Sequence, residues 1–409
     1  MNKKTILYLG NFSFPLGNAA GKRVYANGKL LSDIGYQVVF IGTREYEESK
    51  NLLLTKKNYD NFIYYEFKYP ASSIEWLQYR DTFNQLQSLL SSTGLESNLA
   101  AIIYYGSPRI SLFNKLLIKY CKSRNIKVIS DCVDWLTVNT RNPIFNIIKW
   151  ADTTYQKKYV NKQADGVIAI SSYLSNYYVK SGKRTLILPP LSPEENYSLK
   201  NERSRLDSKK IISYAGNPFR KNQQVKDVKK LKDRLDKAIT LLSKVKDEGV
   251  CFQFNIYGHT KDDFLKALPS HSIYLKNLGD SIVFHGYKNN SEVVKNICDS
   301  DFTILIRDVN RDSSAGFPTK VSESISCGTP VITTRTSDLD SYICDGENGF
   351  FLEAVNDEKN VLKLCEILRL DSRIIENMKE DCKENNYFFY KRYQEITEEF
   401  FIEIMRNDK

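Results

Sequence analysis

The stretch from residue 315 to residue 334, AGFPTKVSESISCGTPVITT, constrains the fold more than any other part of the sequence. It predicts a loop, a short helix and a buried strand. Pro318 suits the first position of a helix, where a missing N–H costs nothing. Gly328 can take the left-handed conformation that ends a helix, and a β-branched strand follows Pro330. The start of such a helix presents free N–H groups and the positive end of the dipole, which favours a bound anion.

Two charged residues in this helix also allow a plainer interpretation. Lys320 and Glu323 are three residues apart, and a surface Lys–Glu pair on an ordinary loop–helix–strand unit has the same spacing. The spacing alone therefore does not distinguish a structural unit from an anion-binding unit.

Strands alternate with helices on both sides of one proline-containing polar segment, which makes the chain an α/β protein. A strand at residues 5–9, an amphipathic helix and a strand at 38–42 form a βαβ unit, and such a unit implies a parallel sheet with ligands at the carboxyl ends of its strands. The segment from residue 186 to residue 210, which begins LILPPLSP, is the natural linker. The strands predicted after it are residues 211–215, 252–258, 282–286 and 302–306.

Composition excludes several classes of protein. The 409 residues contain no run of eighteen apolar residues and no recognisable signal peptide, so we expect a cytoplasmic protein with reduced cysteines. The eight cysteines form no C-x-x-C pair and there are only three histidines, so no metal site is expected. No G-x-G-x-x-G motif is present, which disfavours a dinucleotide cofactor. The net charge of +10 suits a nucleotide-sugar, an anionic membrane or nucleic acid, and does not choose among them.

The stretch 315–334 and the turn DGENG at residues 345–349 resemble the donor-binding region of the retaining GT-B glycosyltransferases of the family-4 type, also described as glycosyl transferases group 1. In that family the pattern is E-x7-E, a helix of small residues and C-G-T-P-V-I. The matching residues are Gly316, Phe317, Glu323 and Cys327–Ile332. Ala315 occupies the position of the family's first glutamate, which contacts the donor sugar, so the resemblance assigns no residue to that contact here.

The resemblance assigns donor-binding roles in the second half of the chain. Glu323 inherits a contact with the nucleotide ribose. Lys320 lies in a segment that departs from the family pattern, and we expect it to compensate for the missing first glutamate by facing a phosphate. In the family an Arg and a Lys after the first strand of this domain neutralise the departing diphosphate. Here Arg220 is the Arg, and either Lys221 or Lys232 is the Lys, although a solvated basic loop is the alternative. The full donor-binding set predicted is Gly216, Arg307, Gly316, Phe317, Thr319, Lys320 and Glu323.

The acceptor side is expected in the first half. The loop after the first strand supplies Gly17, Asn18 and Arg23 as acceptor-binding candidates, with a plain β–α turn as the alternative. Asp131 and Asp134 follow a predicted strand at residues 127–130, where active-site loops of parallel sheets collect. We therefore predict that these two carboxylates lie close to the reacting sugar carbon. A helix N-cap beside a packed Trp explains the same residues equally well.

Residues 141–162 mix aromatic and aliphatic side chains with four lysines. An amphipathic basic segment of this kind can lie on an anionic bilayer. A core helix with a solvated face is the more frequent meaning of the pattern. The sequence leaves both interpretations open.

The resemblance also implies an architecture of two Rossmann-like domains that face each other across a cleft (GT-B). We expect residues 1–195, with a C-terminal crossover helix at about 387–409, to bind the acceptor, and residues 205–385 to bind a nucleotide-sugar. The implied reaction transfers a hexosyl unit with retention to a glycan or lipid-linked acceptor, without a metal or other cofactor, in bacterial cell-surface polysaccharide synthesis at the inner face of the membrane. A non-catalytic relative and a nucleotide-sugar epimerase are alternatives. A nucleic-acid partner is not expected, because RNP, helix-turn-helix and zinc signatures are missing.

Overall fold

The computed structural model describes residues 3–44, 54–135, 143–194, 209–219 and 224–406. The chain forms two compact units. The first comprises Met1–Pro193 and Tyr390–Lys409, and the second comprises Glu194–Phe389. Arg220 and Lys221, predicted to bind the diphosphate, lie outside the described residues.

The first unit is built on an eight-stranded sheet, and helices alternate with most of its strands along the chain. Its elements are β1 Thr5–Gly10, α1 Ala19–Asp33, β2 Gln37–Arg44, β3 Lys57–Tyr59, β4 Phe62–Lys68, α2 Ser73–Leu77, α3 Tyr79–Thr93, β5 Leu99–Tyr105, α4 Leu112–Lys122, β6 Lys127–Cys132, α5 Pro143–Tyr155, β7 Gly166–Ala169, α6 Ser172–Val179 and β8 Arg184–Ile187. The strand order is β3-β4-β2-β1-β5-β6-β7-β8, in which β3 is antiparallel to β4 and the other pairs are parallel.

The strands of this sheet are near-continuous apolar runs because both faces are covered. All six residues of β1 are buried, and β5 places Ile102, Ile103 and Tyr104 in the core. Burial of both faces explains why the sequence shows uninterrupted apolar strands and not an alternating pattern.

The second unit is built on a six-stranded, wholly parallel sheet. Its elements are β9 Lys210–Ala215, α7 Leu235–Asp247, β10 Phe252–Tyr257, α8 Lys261–Ala267, α9 Ser272–Leu278, β11 Ile282–Gly286, α10 Asn290–Cys298, β12 Phe302–Leu305, α11 Arg311–Ala315, α12 Thr319–Ser326, β13 Val331–Thr334, β14 Gly349–Leu352, α13 Asp357–Leu368 and α14 Ser372–Glu384. The strand order is β11-β10-β9-β12-β13-β14. The order reverses direction between β9 and β12, and the crevice at such a switch point is where open α/β sheets bind ligands.

The last helix, α15, spans Gln394–Met405 and belongs to the first unit. Its Phe400, Phe401 and Ile404 are buried. A Cβ atom at Gly166 would lie 2.7 Å from side-chain atoms of both Phe400 and Ile404, so only glycine permits this close packing of α15 on β7.

Two local predictions need correction. Pro318 is the N-cap of α12 and not its first helical residue, because its ψ of 96° is extended. Asp131 lies inside β6 and not after it, because β6 continues to pair with β5 at Tyr105 and with β7 at Ile168. Gly328 does take the left-handed conformation after α12, with φ of +68°.

Candidate functional site

Four side chains meet at the carboxyl end of the sheet in the second unit, at the point where the strand order reverses. Arg307 Nε donates to Asp233 Oδ1 at 2.8 Å, and Lys320 Nζ donates to Asp233 Oδ2 at 2.6 Å. Tyr214 Oη also donates to Asp233 Oδ2, at 3.2 Å. We call Tyr214, Asp233, Arg307 and Lys320 the Asp233 cluster. One carboxylate thus holds two cations in place.

Each member of the cluster is positioned by a strand or helix end. Arg307 comes two residues after β12, and its backbone N–H and C=O both bond the Thr334 hydroxyl at the end of β13, at 2.9 and 2.7 Å. Lys320 is the second residue of α12. Asp233 precedes α7, and the next residue, Arg234, donates its backbone N–H to Ile306 O at 2.8 Å. The loop before α7 is therefore tied to the end of β12.

Gly216 leaves room for Lys320. A Cβ atom at position 216 would lie 2.3 Å from Lys320 Cε and 2.7 Å from its Nζ. A side chain at position 216 would have to displace the end of Lys320 from its place beside Asp233. The predicted candidates Gly216, Arg307 and Lys320 are thus brought together by the fold.

The electrostatics of the cluster favour an additional anion. Burial alone would raise the pKa of Asp233, but the neighbouring Lys320 and Arg307 hold it well below its usual range. Burial and the Asp233 charge together raise the pKa of Tyr214 well above its usual value, so the phenol stays neutral. Two cations and one carboxylate leave a net charge of +1. Within the described part of the chain, Arg307 Nη1 is buried and has no hydrogen-bond partner.

A small cavity adjoins the cluster. Tyr214, Lys320 and Glu323 are among its lining residues. Glu323 is half-buried, one turn beyond Lys320 on α12. The N-cap of α12, Pro318, makes no side-chain capping hydrogen bond. A cation pair, a helix N-terminus and a carboxylate therefore occur together at one edge of the sheet.

The remaining predicted donor-side residues are placed differently. Phe317 is buried and packs edge-on against Tyr342 and Phe388, with ring centroids 5.4 and 5.8 Å apart, so it supports α12 from the core. Gly316 is also buried, Thr319 begins α12, and Lys232 is exposed beside Asp233.

Sequence reasoning missed Asp233 and Tyr214. Asp233 follows the predicted Lys232 directly, but nothing in its spacing indicates that it would meet two distant cations.

In the first unit, Arg23 and Asp131 form an enclosed ion pair. Arg23 Nη2 donates to Asp131 Oδ1 at 2.8 Å, and its Nη1 donates to the backbone oxygens of Leu188 and Pro189 at 2.9 and 3.2 Å. Tyr8 Oη donates to Asp131 Oδ2 at 2.5 Å. The Arg23 side chain is 3% exposed and that of Asp131 is 0% exposed. Arg23, predicted to bind the acceptor, is therefore directed at Asp131 and the chain beyond β8.

The other two acceptor candidates lie in the loop before α1. Asn18 is the N-cap of α1, and its Oδ1 accepts from Gly21 N at 2.8 Å. Gly17 is exposed and donates its N–H to Ser13 O at 3.2 Å. The β–α turn that the sequence allowed as the alternative describes Asn18 well. A role for Gly17 in acceptor binding stays a prediction.

A polar cavity of about 280 Å³ opens at the carboxyl ends of β5 and β6. Its lining includes Tyr105, Asp131, Asp134, Lys149, Asp152 and Lys157. Lys157 Nζ lies 3.8 Å from Asp134 Oδ1, and Lys149 Nζ lies 4.0 Å from Asp152 Oδ2. Of the predicted residues, Asp131 and Asp134 meet here. The lysines and Asp152 come from α5 and the turn after it, and sequence reasoning did not assign them to a site.

Burial disfavours the charged forms of two groups in this cavity. It raises the pKa of Asp152, although the hydroxyl and the backbone N–H of Ser111 lower it in part. It lowers the pKa of Lys149, against the opposing effect of Asp152. The cavity thus offers carboxylates, ammonium groups and a phenol in a partly desolvated space, and such a lining suits a ligand with several polar groups.

Comparisons with known proteins find one matching family and several similar proteins. Residues 206–388 match the model of the family described as glycosyl transferases group 1, which is the resemblance drawn from residues 315–349. The chain is 24% identical to N-acetyl-alpha-D-glucosaminyl L-malate synthase of Bacillus anthracis, over 98% of both chains.

Solved structures share the whole fold. Sucrose-phosphate synthase from Thermosynechococcus elongatus is similar with a TM-score of 0.70 at 13% identity, over 98% of this chain and 99% of the other. An E. coli structure described as trehalose-6-phosphate bound with UDP-2-fluoro glucose is similar with a TM-score of 0.67 at 10% identity, over 98% and 99%. The chain therefore has the predicted α/β fold of two Rossmann-like domains, GT-B, and its second unit contains the residues that match the glycosyl transferases group 1 model.

Proposed function

We propose that this protein is a glycosyltransferase that moves a hexosyl unit from a nucleotide-diphosphate sugar to a polar acceptor, with retention of configuration. The observation that carries the proposal is the net positive Asp233 cluster, which lies beside Glu323 at the switch point of the second unit's sheet. The match of residues 206–388 to glycosyl transferases group 1 supports it.

Donor binding follows from the charges of the cluster. A nucleoside diphosphate carries negative oxygens that Lys320 and the buried Arg307 are placed to meet, and the first turn of α12 adds N–H groups to the same region. Glu323 accepts hydrogen bonds from the ribose hydroxyls in this proposal. Arg220 and Lys221 are kept as further diphosphate-binding residues, with Lys232 as the alternative lysine.

The chemical step needs charge stabilisation more than a nucleophile from the protein. The bond between the sugar carbon and the diphosphate oxygen breaks, the bond to the acceptor oxygen forms on the same face, and the acceptor proton passes to the departing phosphate. Fixed cations aimed at the leaving group lower the barrier because they are already oriented before the reaction. Arg307 and Lys320, held by Asp233, provide such fixed charge.

We assign the acceptor to the polar cavity of the first unit. Asp134 and Lys157 are the lining residues with which we expect acceptor hydroxyl or carboxyl groups to bond. The curated relative is named for an N-acetylglucosaminyl unit joined to L-malate. N-acetylglucosaminyl donors and small polar acceptors therefore come first in a screen. A role in cell-surface polysaccharide synthesis, at the inner face of the cell membrane, stays part of the proposal.

A thermal-shift screen of UDP- and GDP-sugars tests donor binding, because a ligand that binds only the folded state raises Tm by mass action. We expect one donor class to raise Tm, and Glu323→Ala to abolish the rise. Lys276→Ala, a change at an exposed lysine in α9, is the matched control and keeps the rise.

Turnover separates the remaining alternatives. A transferase releases nucleoside diphosphate in proportion to acceptor, whereas a non-catalytic relative binds donor without turnover. An epimerase changes the sugar when no acceptor is added. Donor binding without any product, across the acceptors screened, contradicts the proposal.

A further inference from the structure

Arg109, in the loop between β5 and α4, is a buried cation in the wall of the polar cavity, and it is 8% exposed. Its Nη1 donates to Pro108 O at 2.8 Å, and its Nη2 donates to Lys68 O at 3.0 Å. Among the residues that the structure describes, its buried Nε has no hydrogen-bond partner. Carbonyl oxygens satisfy two of the three nitrogens but do not neutralise the guanidinium, and a buried charge without a counter-charge is costly.

A carboxylate near Arg109 lies outside the lining of this cavity and is matched by another cation. Burial lowers the pKa of Arg109, and the charge of Glu75 on α2 opposes this effect. Glu75 Oε1 accepts from Lys68 Nζ at 3.1 Å, and its Oε2 accepts from Ala71 N at 3.0 Å. Because Lys68 balances the charge of Glu75, and an arginine side chain stays protonated in proteins, Arg109 keeps its positive charge at the cavity.

Lys149 of α5 is a second cation in the wall of the cavity. Its Nζ lies 4.0 Å from Asp152 Oδ2, which is beyond hydrogen-bonding distance, and 4.3 Å from the centroid of the Trp76 ring. Asp152 accepts a hydrogen bond from Ser111 N at 2.7 Å, through its Oδ1. The ion pair of Lys149 with Asp152 is therefore loose, and the ammonium group keeps N–H groups that a ligand can use.

Backbone hydrogen bonds hold Arg109 and Lys149 in the same region of the wall. Ile110 N donates to Trp76 O at 3.2 Å, so the loop that carries Arg109 is tied to the residue over which Lys149 lies. The bond from the same loop to Asp152 ties it to α5 as well. The two cations are thus positioned by contacts that do not involve a ligand.

The charges around the cavity leave one positive charge in excess. The charged lining residues are three cations and three carboxylates, namely Arg109, Lys149, Lys157, Asp131, Asp134 and Asp152. Asp131 is also bonded by Arg23, and the pair of Glu75 with Lys68 adds no net charge. Among the described residues, four cations therefore meet three carboxylates at this site. A ligand with one negative charge would balance them.

We infer that the acceptor is a carboxylic acid with hydroxyl groups, such as a hydroxy acid or an acidic sugar, and that its carboxylate binds between Arg109 and Lys149. The planar guanidinium matches a carboxylate, and the ammonium group supplies a second charge-assisted hydrogen bond. A phosphate monoester carries about −1.5 to −2 charges at neutral pH and therefore exceeds the single positive charge. The inference rests on the proposed function, because it names the class of acceptor that the transferase uses.

Acceptors that differ in charge test the inference. The pairs are D-glucuronate with D-glucose, D-galacturonate with D-galactose, and D-glycerate with glycerol, and D-glucose 6-phosphate is the phosphate probe. Release of nucleoside diphosphate is measured with the full chain and the donor found in the thermal-shift screen. Among the described residues no helix has the length and apolarity needed to cross a bilayer. We expect the acid of at least one pair to have a kcat/KM about ten-fold or more above that of its neutral partner, because hydrogen bonds to charged groups are the stronger ones.

Lys149→Gln removes one charge at a side chain that is 31% exposed, so the fold should tolerate it. We expect KM for the acid to rise about ten-fold or more, with a smaller change in kcat and an unchanged donor-induced rise in Tm. Lys158→Gln, at an exposed lysine that does not line the cavity, is the matched control and keeps the wild-type KM. Arg109→Gln should raise KM further, and Lys149→Gln decides the test if that variant does not fold.

Thermal shifts with the acceptors alone separate this inference from the proposed function. We expect an acid to raise Tm more than its neutral partner does, and Lys149→Gln to abolish the difference. This result without any turnover supports the anion site and contradicts the proposed function. Turnover that favours the neutral acceptors or the phosphate probe overturns the carboxylic acid and leaves the transferase standing. Equal KM values for Lys149→Gln and Lys158→Gln, or acids that neither raise Tm nor are preferred in turnover, also overturn the inference.

Discussion

Each unit carries a buried aspartate that binds arginine at the carboxyl end of its sheet. The two arrangements differ in whether the aspartate neutralises all of the positive charge around it. In the first unit Arg23 bonds Asp131 and two backbone oxygens, and both side chains are enclosed. In the second unit Asp233 is shared by Arg307 and Lys320, and the Lys320 side chain is 26% exposed. The first pair is neutral, and the second cluster keeps one positive charge.

A structural ion pair and a binding site differ in whether the protein neutralises its own buried charge. A buried charge is stable only if it is paired and hydrogen-bonded, which Arg23 achieves within the protein. The Asp233 cluster has one cation more than its carboxylate neutralises, and Arg307 Nη1 lacks a partner among the residues described. A ligand anion would supply the missing negative charge and a hydrogen-bond acceptor for Arg307 Nη1. We therefore expect changes at Asp131 to affect stability and changes in the Asp233 cluster to affect donor binding.

The largest effect is expected for Asp131→Ala. This change leaves the buried Arg23 guanidinium without its counter-charge, and breaking a buried pair from one side costs about 3–5 kcal/mol of the free energy of unfolding. Urea denaturation measures the loss. Asp134→Ala, at a 35% exposed side chain paired with Lys157 at 3.8 Å, is the control and costs less than about 1 kcal/mol. Equal losses for the two variants would remove the distinction between an enclosed pair and an open one.

Asp233→Asn is expected to cost less, about 2–3 kcal/mol, because Lys320 can turn to water when its partner is lost. The direction in which this loss of stability changes with pH follows from the pKa of Asp233. The pKa of Asp233 is depressed in the folded state, so its contribution to stability is fully present above the ordinary aspartate value of about 3.9 and is lost as pH falls below it. The difference in stability between wild type and Asp233→Asn should therefore be constant near neutrality and shrink below about pH 4. A constant difference down to pH 2 would contradict the assignment.

Lys320→Ala should weaken donor binding about 100-fold, a loss of about 2.7 kcal/mol, while stability changes little. Isothermal calorimetry with the donor found in the screen measures it. Lys359→Ala, which breaks an exposed Lys–Glu pair in the same unit, is the matched control and binds donor normally. A 100-fold loss in both variants would point to general charge and not to the cluster.

Gly216→Ala sharpens the same point with a smaller effect. The added Cβ atom would lie 2.3 Å from Lys320 Cε, which is too close, so the flexible end of Lys320 would be displaced from Asp233. We expect donor affinity to fall about ten-fold, or about 1.4 kcal/mol, with Tm nearly unchanged. If affinity stays normal, the position of Lys320 beside Asp233 is not the one that binds donor.

The fold class and the most local part of the site can be predicted from the amino-acid sequence alone. Apolar runs punctuated by glycine and proline predict parallel strands and helices, because period, length and turn chemistry are local properties. The segment 315–334 folds as loop, helix and strand, and the family match of residues 206–388 agrees with its motif. Its candidates Lys320 and Glu323 do lie at one cavity of the second unit.

The pairing of distant charged residues could not be predicted from the sequence and became visible in the folded chain. Asp233, Arg307 and Lys320 are up to 87 positions apart in the chain, and no spacing rule joins them. In the same way the folded chain revealed that Arg23 is engaged by Asp131, 108 positions away, and that the isoleucines of α5 face solvent. Side-chain burial and long-range ion pairs depend on what the remainder of the chain packs against each element. The sequence shows which residues are charged or apolar, and the fold determines which other residues they contact.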